Sequence, residues 1–253
     1  MNHYDVPIPP SDVRYWVMIV GAVVGGFLFV KYFDHLSKEK REPYLKRLGF
    51  VLILTSSFLP IYTILIPEHL FSFHRSLPLH FCSLNIWLIG FNCFLKSRKL
   101  FVYTFFMGLI GGFYSVLTPL LTVGDAPLVL VHYIIVHTAL FTVPIVMIRL
   151  YGMRLKYYDW IRGYLFAAAI STLMVLINSC LNLYVENTDG ASANYMFVTV
   201  APAVSNPFLF DGLQWPLYLI PIHLGLFFHI LIINMIYRKR EQNPIVSEPR
   251  LWQ

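Results

Sequence analysis

Apolar residues dominate seven stretches of the chain, each separated from the next by a short polar segment. The stretches lie at about 15–33, 48–66, 79–95, 100–121, 128–148, 161–184 and 214–236. Each has roughly the 17 to 25 residues that an α-helix needs to cross a bilayer. The pattern therefore predicts an all-α, polytopic membrane protein, with a bundle of seven transmembrane helices in a single domain over residues 1–253.

Basic residues fall on alternate sides of the predicted spans. Lys and Arg are concentrated between spans 1 and 2, 3 and 4, and 5 and 6, and in the C-terminal tail. The segments on the other side carry only Arg14, before span 1, and Arg75, between spans 2 and 3. Because positively charged loops stay in the cytoplasm, we expect the N-terminus outside the cell and the C-terminus in the cytoplasm.

Composition agrees with this class of protein, since 57% of the residues are hydrophobic and only 13% are charged. The net charge of +6 is distributed in clusters between apolar stretches. Such clusters fit an anionic inner leaflet, and we expect no nucleic-acid partner. The longest segment between spans, 185–213, is predicted to lie outside, either as a lid over the outer mouth of the bundle or as a solvated loop.

Polar residues inside the predicted helices gather at one depth. Counting from the first basic residue at the inner end of each helix places five side chains about 18 to 24 Å above the inner face: Cys82, Tyr114, His137, Asn178 and His223. Five more lie within two turns of that layer: His80, Asn85, Thr118, His132 and Asn182. Intramembrane polar groups tend to face the bundle interior, so we expect a functional site in the outer half.

The layer contains a thiol, imidazoles and amides, and no Asp or Glu lies within a predicted helix core. Carboxylates are usual in cation-coupled transporters and in hard-metal sites, so neither class is favoured. A thiol with a nearby imidazole can form an activated nucleophile, and side-chain amides can stabilise an oxyanion. Cys82, the only thiol of the layer, is therefore a candidate nucleophile, with His137 among the histidines that could activate it.

Plainer interpretations of the same residues remain open. Cys82 can serve as a small apolar packing residue, and His137 can simply hydrogen-bond a neighbouring helix. A zinc site of several histidines is another alternative, but no helix shows a close ligand spacing; its members would be His80, His132, His137 and His223. We predict no resident metal and no cofactor.

Three segments resemble parts of a known family in the order in which that family has them. LPLHFCSLNIW (77–87) resembles the LPLHxCS signature of the YwaF-like integral membrane proteins of bacteria. HYIIVHTALFTVPIVM (132–147) resembles their helix with a central His, and ANYMFV (193–198) followed by WPLYLIPI (215–222) resembles their NYMF loop and last helix. The resemblance implies a multi-pass protein of a bacterial plasma membrane.

That family is similar to an animal transmembrane acyltransferase that moves acyl chains between phospholipids through a Cys. The resemblance implies that Cys82 is the nucleophile and His137 the base, with Asn194 and Tyr195 in the signature loop. Membrane lipids would be the substrates, and a thioester on Cys82 would carry the acyl chain. Transfer to water instead of a lipid would make the protein a lipase.

Two other functions remain open on the sequence. A transporter or small-molecule receptor with an outer-facing polar pocket fits the topology, although the helix cores lack carboxylates and no inverted repeat is visible. A structural or assembly factor is the third alternative, in which the polar layer only holds the helices together.

Overall fold

A computed structural model of the chain describes residues 5–66, 71–187, 190–202, 208–210 and 212–241. Over these residues the fold is helical apart from two short strands. The helices are α1 (Val13–Asp34), α2 (Lys38–Ser56), α3 (Phe58–Leu65), α4 (Phe81–Leu95), α5 (Arg98–Leu117), α6 (Pro127–Tyr151), α7 (Asp159–Tyr184) and α8 (Leu219–Glu241). A single 3₁₀ turn covers Tyr195–Phe197, and the strands are β1 (Val6–Pro7) and β2 (Leu120–Leu121).

Six helices of the described residues are long and apolar enough to cross a membrane, if α2 and α3 are taken together. These are Val13–Asp34, Lys38–Leu65, Arg98–Leu117, Pro127–Tyr151, Asp159–Tyr184 and Leu219–Tyr237. The apolar helix α4 has only 15 residues, fewer than the roughly 20 that a full span requires. The helical membrane class is thus confirmed, while the seventh span and the orientation stay predictions.

Two predicted boundaries are wrong by several residues. The second span was expected from residue 48, but α2 begins ten residues earlier, at Lys38. The charged first part of α2 is stabilised by ion pairs of Glu42, with Lys46 at 3.2 Å and with Lys96 at 2.6 Å. The last helix begins at Leu219 instead of 214, because Pro216 restricts the backbone of the residue before it. Hydropathy reports which part of a helix is apolar and not where the helix begins.

The centre of the bundle is formed by α5 and α6, which pack on each other and on α4. Half of the apolar window of each central helix is buried, against about a fifth of the windows of α1, α7 and α8. The peripheral helices accordingly expose large apolar side chains such as Phe27, Leu165 and Ile232. A bilayer is the environment in which such faces are stable.

Glycines permit the closest helix contacts. A Cβ at Gly49 of α2 would lie 2.7 Å from both the Cys93 Cβ and the Gly90 carbonyl oxygen of α4. A Cβ at Gly108 of α5 would collide with the carbonyl oxygen of Leu140 of α6. These glycines therefore set the spacing of α2 against α4 and of α5 against α6.

We expect Gly108→Ala to destabilise the protein by roughly 1 to 3 kcal/mol, because the clash involves backbone that cannot rotate away. Gly25→Ala on α1 is the matched control, since no atom lies within 4 Å of its Cβ position. Thermal unfolding in detergent measures both. Equal melting temperatures for the two variants would contradict the packing role of Gly108.

Candidate active site

A cavity of about 270 Å³ lies among α4, α5 and α6, toward the end of the bundle where α4 begins. It is lined by six of the residues predicted from the sequence: His80, Cys82, Tyr114, Thr118, His132 and His137. These side chains come from α4, α5 and α6 and from the cap positions of α4 and α5. Cys82 and His137 therefore share one cavity, although their catalytic roles stay predictions.

Cys82 is the second residue of α4, and its thiol is free and partly buried. Its Sγ forms a hydrogen bond of 3.2 Å with Ser115 Oγ, in which either atom can donate. The first intrahelical bond of α4 runs from Leu84 N to His80 O at 3.0 Å, so the N–H groups before Leu84 lack helical acceptors. The sulfur thus lies at the positive end of a helix, where an anion is favoured.

His137 is buried on α6, and its ring orientation is fixed by its own helix. Nδ1 donates a hydrogen bond of 2.7 Å to the carbonyl oxygen of Tyr133, because a carbonyl can only accept. The Tyr133 ring lies against the imidazole, with 3.8 Å between the ring centroids. With the proton assigned to Nδ1 in this way, Nε2 carries the lone pair and can accept a proton.

Ser115 connects the thiol with the helix of the imidazole. Its Oγ contacts Cys82, and its carbonyl oxygen accepts a hydrogen bond of 2.7 Å from Tyr133 Oη. Among the described residues no hydrogen bond joins Cys82 directly to His137. Sequence reasoning missed both Ser115 and Tyr133, although Tyr133 lies one helical turn before His137 and is placed to contact it.

The other two histidines of the cavity have different neighbours. His132 Nε2 donates to the carbonyl oxygen of Thr55 at 2.9 Å, and its ring stacks on Phe58. That bond satisfies a carbonyl near the break between α2 and α3. His80, in the N-cap position of α4, makes an edge contact with the Tyr195 ring at 5.1 Å between centroids.

Tyr114 is connected to α8 through His229. His229 Nδ1 donates to the Gly225 carbonyl oxygen at 2.7 Å, which leaves Nε2 as an acceptor. Tyr114 Oη therefore donates to His229 Nε2, at 3.0 Å. This bond holds the C-terminal part of α5 against α8 at the edge of the cavity.

Two amides of α7 hold the backbone of the loop that follows it. Asn178 donates to the Tyr195 carbonyl oxygen and accepts from the Tyr195 N–H, both at 3.0 Å. Asn182 does the same for Ala193, at 3.1 Å and 2.6 Å. Each amide thus satisfies the backbone N–H and carbonyl of one loop residue. Neither Tyr195 nor Ala193 lines the cavity.

The signature loop is also tied together internally. Asn194 Oδ1 accepts hydrogen bonds from the backbone N–H groups of Thr199 and Val200, at 3.1 Å and 3.0 Å. The fully buried Tyr195 donates from Oη to the Phe73 carbonyl oxygen at 2.8 Å and accepts from Leu77 N at 2.9 Å. The loop before α4 is thereby attached to the loop after α7.

Met196 and Phe197 are the residues of this loop that line the cavity. Both have positive φ angles, 60° and 54°, which residues with a side chain rarely adopt. Backbone strain of this kind persists only where the surroundings determine it, and the bonds of Asn178, Asn194 and Tyr195 provide that determination. Residues 188–189, 203–207 and 211 of the predicted lid lie outside the described residues.

The polar residues expected from the sequence in one layer divide between the cavity and other contacts. Six predicted residues do not line the cavity: Asn85, Asn178, Asn182, Asn194, Tyr195 and His223. His223 contacts Ser171 Oγ at 3.2 Å, between α7 and α8. Asn85 is fully buried one turn below Cys82, and neither atom of its amide has a hydrogen-bond partner in the described part of the chain.

The N-terminal arm borders the other side of the cavity. β1 pairs antiparallel with β2, and residues 120–123 line the cavity. Arg14 binds Asp12 at 2.7 Å and Asp125 at 2.6 Å, which fastens the arm and lowers the pKa of Asp12. Burial raises the pKa of Asp5, against the opposing field of the buried cavity residue Arg75.

Within the described ranges, no group of three or more His, Cys, Asp or Glu residues is arranged to hold a metal ion. Of the four histidines considered for a zinc site, His80, His132 and His137 line the cavity, whereas His223 contacts Ser171 between α7 and α8. The cavity instead brings together a thiol, a hydroxyl and an imidazole with a free ring nitrogen.

Comparison with known proteins gives one family. Residues 10–235 match the model of the TMEM164 family, which includes every helix that contributes to the cavity. This match supports a TMEM164-like transmembrane protein and does not confirm the narrower YwaF-like bacterial resemblance. No curated protein and no solved structure matches the chain.

Asn178→Ala leaves the backbone N–H and carbonyl of Tyr195 buried without partners, which should destabilise the protein by about 1 to 3 kcal/mol. Ser179→Ala is the control, because its exposed hydroxyl bonds only to Val175 of its own helix. We expect a lower melting temperature and faster proteolysis of the 193–200 loop in the first variant alone. Unchanged proteolysis would show that the amide does not hold the loop.

Proposed function

The chain belongs to the TMEM164 family of membrane proteins, and on this premise we propose that it is a lipid acyltransferase that carries the acyl chain as a thioester on Cys82. One observation carries the proposal: the Cys82 thiol and the His137 imidazole line the same cavity, and the Nδ1 bond to Tyr133 leaves His137 Nε2 free to accept a proton. Activation of a thiol by an adjacent base is the general pattern of nucleophilic catalysis.

In the first half-reaction the Sγ–H proton passes to His137 Nε2, and Sγ attacks the ester carbonyl carbon of a donor lipid. Ser115 stands beside the sulfur, so its hydroxyl can hand on the proton or hold the thiol in place. Collapse of the tetrahedral intermediate breaks the ester C–O bond. The proton on His137 then goes to the departing oxygen, which leaves an acyl-thioester and a lyso-lipid.

The negative charge that develops on the ester carbonyl oxygen during the attack is stabilised by hydrogen-bond donors that are already in place. The first-turn N–H groups of Cys82 and Ser83 have no helical acceptor, and they point from the positive end of α4. Preorganised donors of this kind contribute about 3 to 4 kcal/mol each to acyl transfer. The position of the nucleophile in the first turn therefore supplies both the attacking atom and the stabilising dipole.

In the second half-reaction the hydroxyl of a lyso-lipid gives its proton to His137 Nε2 and attacks the thioester. Sγ leaves as a thiolate and recovers the proton from His137. A cavity of about 270 Å³ is at the lower limit of ordinary ligand sites, which have roughly 300 to 1,000 Å³. It accommodates the ester region of a lipid, while the acyl chains remain among the apolar faces of the helices.

The same proposal includes the topology. We infer seven crossings, with α4 as a short one that ends below the outer headgroups, the N-terminus outside and the C-terminus in the cytoplasm. The alternation of basic segments supports this orientation, and the cavity then lies in the outer half, near the depth of lipid ester groups. A bacterial plasma membrane is the location implied by the sequence resemblance.

Purified full-length protein incubated with a phospholipid bearing a tagged acyl chain should acquire the tag on Cys82. The label should be released by neutral hydroxylamine, as a thioester is. A Cys93→Ala/Cys180→Ser variant keeps Cys82 as the only thiol and should label normally. Cys82→Ala should lose the label and at least about 10³-fold in transfer rate, because the covalent intermediate cannot form.

Retention of the label or of transfer activity in Cys82→Ala would overturn the proposal. Lipid flux or small-molecule binding that survives loss of both Cys82 and His137 would instead support a transporter or receptor.

The variant His137→Asn tests the roles of the two imidazole nitrogens separately. Its amide N–H can replace the Nδ1 bond to Tyr133, but nothing replaces Nε2, so we expect acylation to fall by about 10² to 10⁴-fold without a loss of stability.

Ser115→Ala removes one hydrogen bond to the thiol and should slow acylation by about 3- to 10-fold. Acylation kinetics and melting temperature are measured for both variants; normal acylation by His137→Asn would exclude this histidine as the base.

A further inference from the structure

A second cavity lies at the opposite end of the bundle. Residues 111–118 of α5 line the first cavity, whereas the second, of about 510 Å³, is formed by the first turns of α5 and α7. Its lining comprises Arg98, Lys99, Val102, Tyr103, Asp159 and Arg162 with a few apolar neighbours. The proposed acyl transfer uses none of these residues.

Positive charge exceeds negative charge at the mouth of the second cavity. The carboxylate of Asp159 has no exposed surface, and it accepts from Arg98, from Lys156 N at 2.6 Å and from Arg162 Nη1 at 3.4 Å. It therefore balances one of three cations. Within the described part of the chain no carboxylate pairs with Lys99, so the mouth carries an excess of about two positive charges.

Two helices also direct their N-termini into this cavity. α5 begins at Arg98 and α7 at Asp159, and both residues line it. The N–H groups of a first helical turn lack intrahelical acceptors and favour an anion. Three basic side chains and two helix dipoles thus act on the same volume, and the buried Asp159 holds two of the three arginine and lysine groups in position.

The walls of the cavity are apolar and continue toward the lipid-facing side. Val102 and Phe166 line it, and Phe166 is 45% exposed at the surface of α7. Tyr103 packs edge-on against Phe166, with 4.7 Å between the ring centroids. These side chains give the cavity an apolar wall beside its basic mouth.

We propose that this second cavity is a binding site for the phosphate group of an anionic phospholipid. The phosphate lies among Arg98, Lys99 and Arg162, and an acyl chain follows the apolar groove along Val102 and Phe166. A guanidinium group can donate two parallel hydrogen bonds to the oxygens of a phosphate, whereas a lysine ammonium group acts as a single point charge. The position among the basic segments places the ligand in the cytoplasmic leaflet if the predicted orientation holds.

The test measures lipid retention, so its result does not depend on acyl transfer. Full-length protein in detergent is titrated with phosphatidylglycerol or with phosphatidylcholine, and native mass spectrometry counts the bound lipid. The wild type should retain one phosphatidylglycerol in preference to phosphatidylcholine. Lys99→Gln/Arg162→Gln should lower that affinity by about 10-fold or more, since each cation near an anionic lipid contributes about 1 kcal/mol.

Lys38→Gln/Lys40→Gln is the matched control, because it removes two exposed cations from the same end of the bundle but outside the cavity. Binding that is equal for both lipids, or unchanged in Lys99→Gln/Arg162→Gln, would overturn the proposal, as would an equal loss in the control. Millimolar inorganic phosphate or glycerol 3-phosphate serves as competitor. Full displacement of the lipid by either would show that the site takes free phosphate, and the assignment to a lipid would fall.

Discussion

Residues 193–198, which include the single 3₁₀ turn at Tyr195–Phe197, form an irregular stretch of backbone packed against the bundle. The cavity depends on how the polar backbone groups of this stretch are satisfied. Unpaired N–H and C=O groups are costly at membrane depth, so irregular backbone is tolerated there only when protein groups or a cavity receive it. Asn178 and Asn182 are about 6 Å apart along α7, close to the repeat of about 6.6 Å between alternate residues of an extended chain. Their spacing therefore lets two amides hold Tyr195 and Ala193, and the Tyr195 hydroxyl extends this support to Phe73 and Leu77.

The two ends of α5 meet different chemical requirements. At one end the cavity is lined mainly by uncharged donors and acceptors, among which a thiol and an imidazole are positioned by bonds to Ser115 and Tyr133. At the other end Asp159 gathers cations around the first turn. Charges are cheaper near a headgroup region than in hydrocarbon, so the basic groups collect where water and phosphate can reach them. In the proposed acyl transfer the Cys82 thiol and the His137 imidazole can both be neutral before the reaction, because only one proton passes between them.

The residues predicted to lie at one depth differ in the structure in the direction that they face. Cys82, Tyr114 and His137 line one cavity, whereas Asn178 and His223 contact other partners. Depth follows from the rise per residue, but rotation about the helix axis does not. Ser115 escaped prediction because a serine hydroxyl in a helix usually bonds to its own backbone, and nothing in its spacing marks a contact with Cys82.

The sequence by itself determined that the chain is a helical membrane protein, since hydropathy is a sum over neighbouring residues and needs no knowledge of the fold. It also determined which chemical groups are available at each depth. Only the tertiary structure decided which of them meet, because that depends on glycine contacts such as Gly108 against Leu140, on the pairing of β1 with β2, and on the loop held by α7. These contacts join residues far apart in the chain, and their geometry is set by packing and not by local composition.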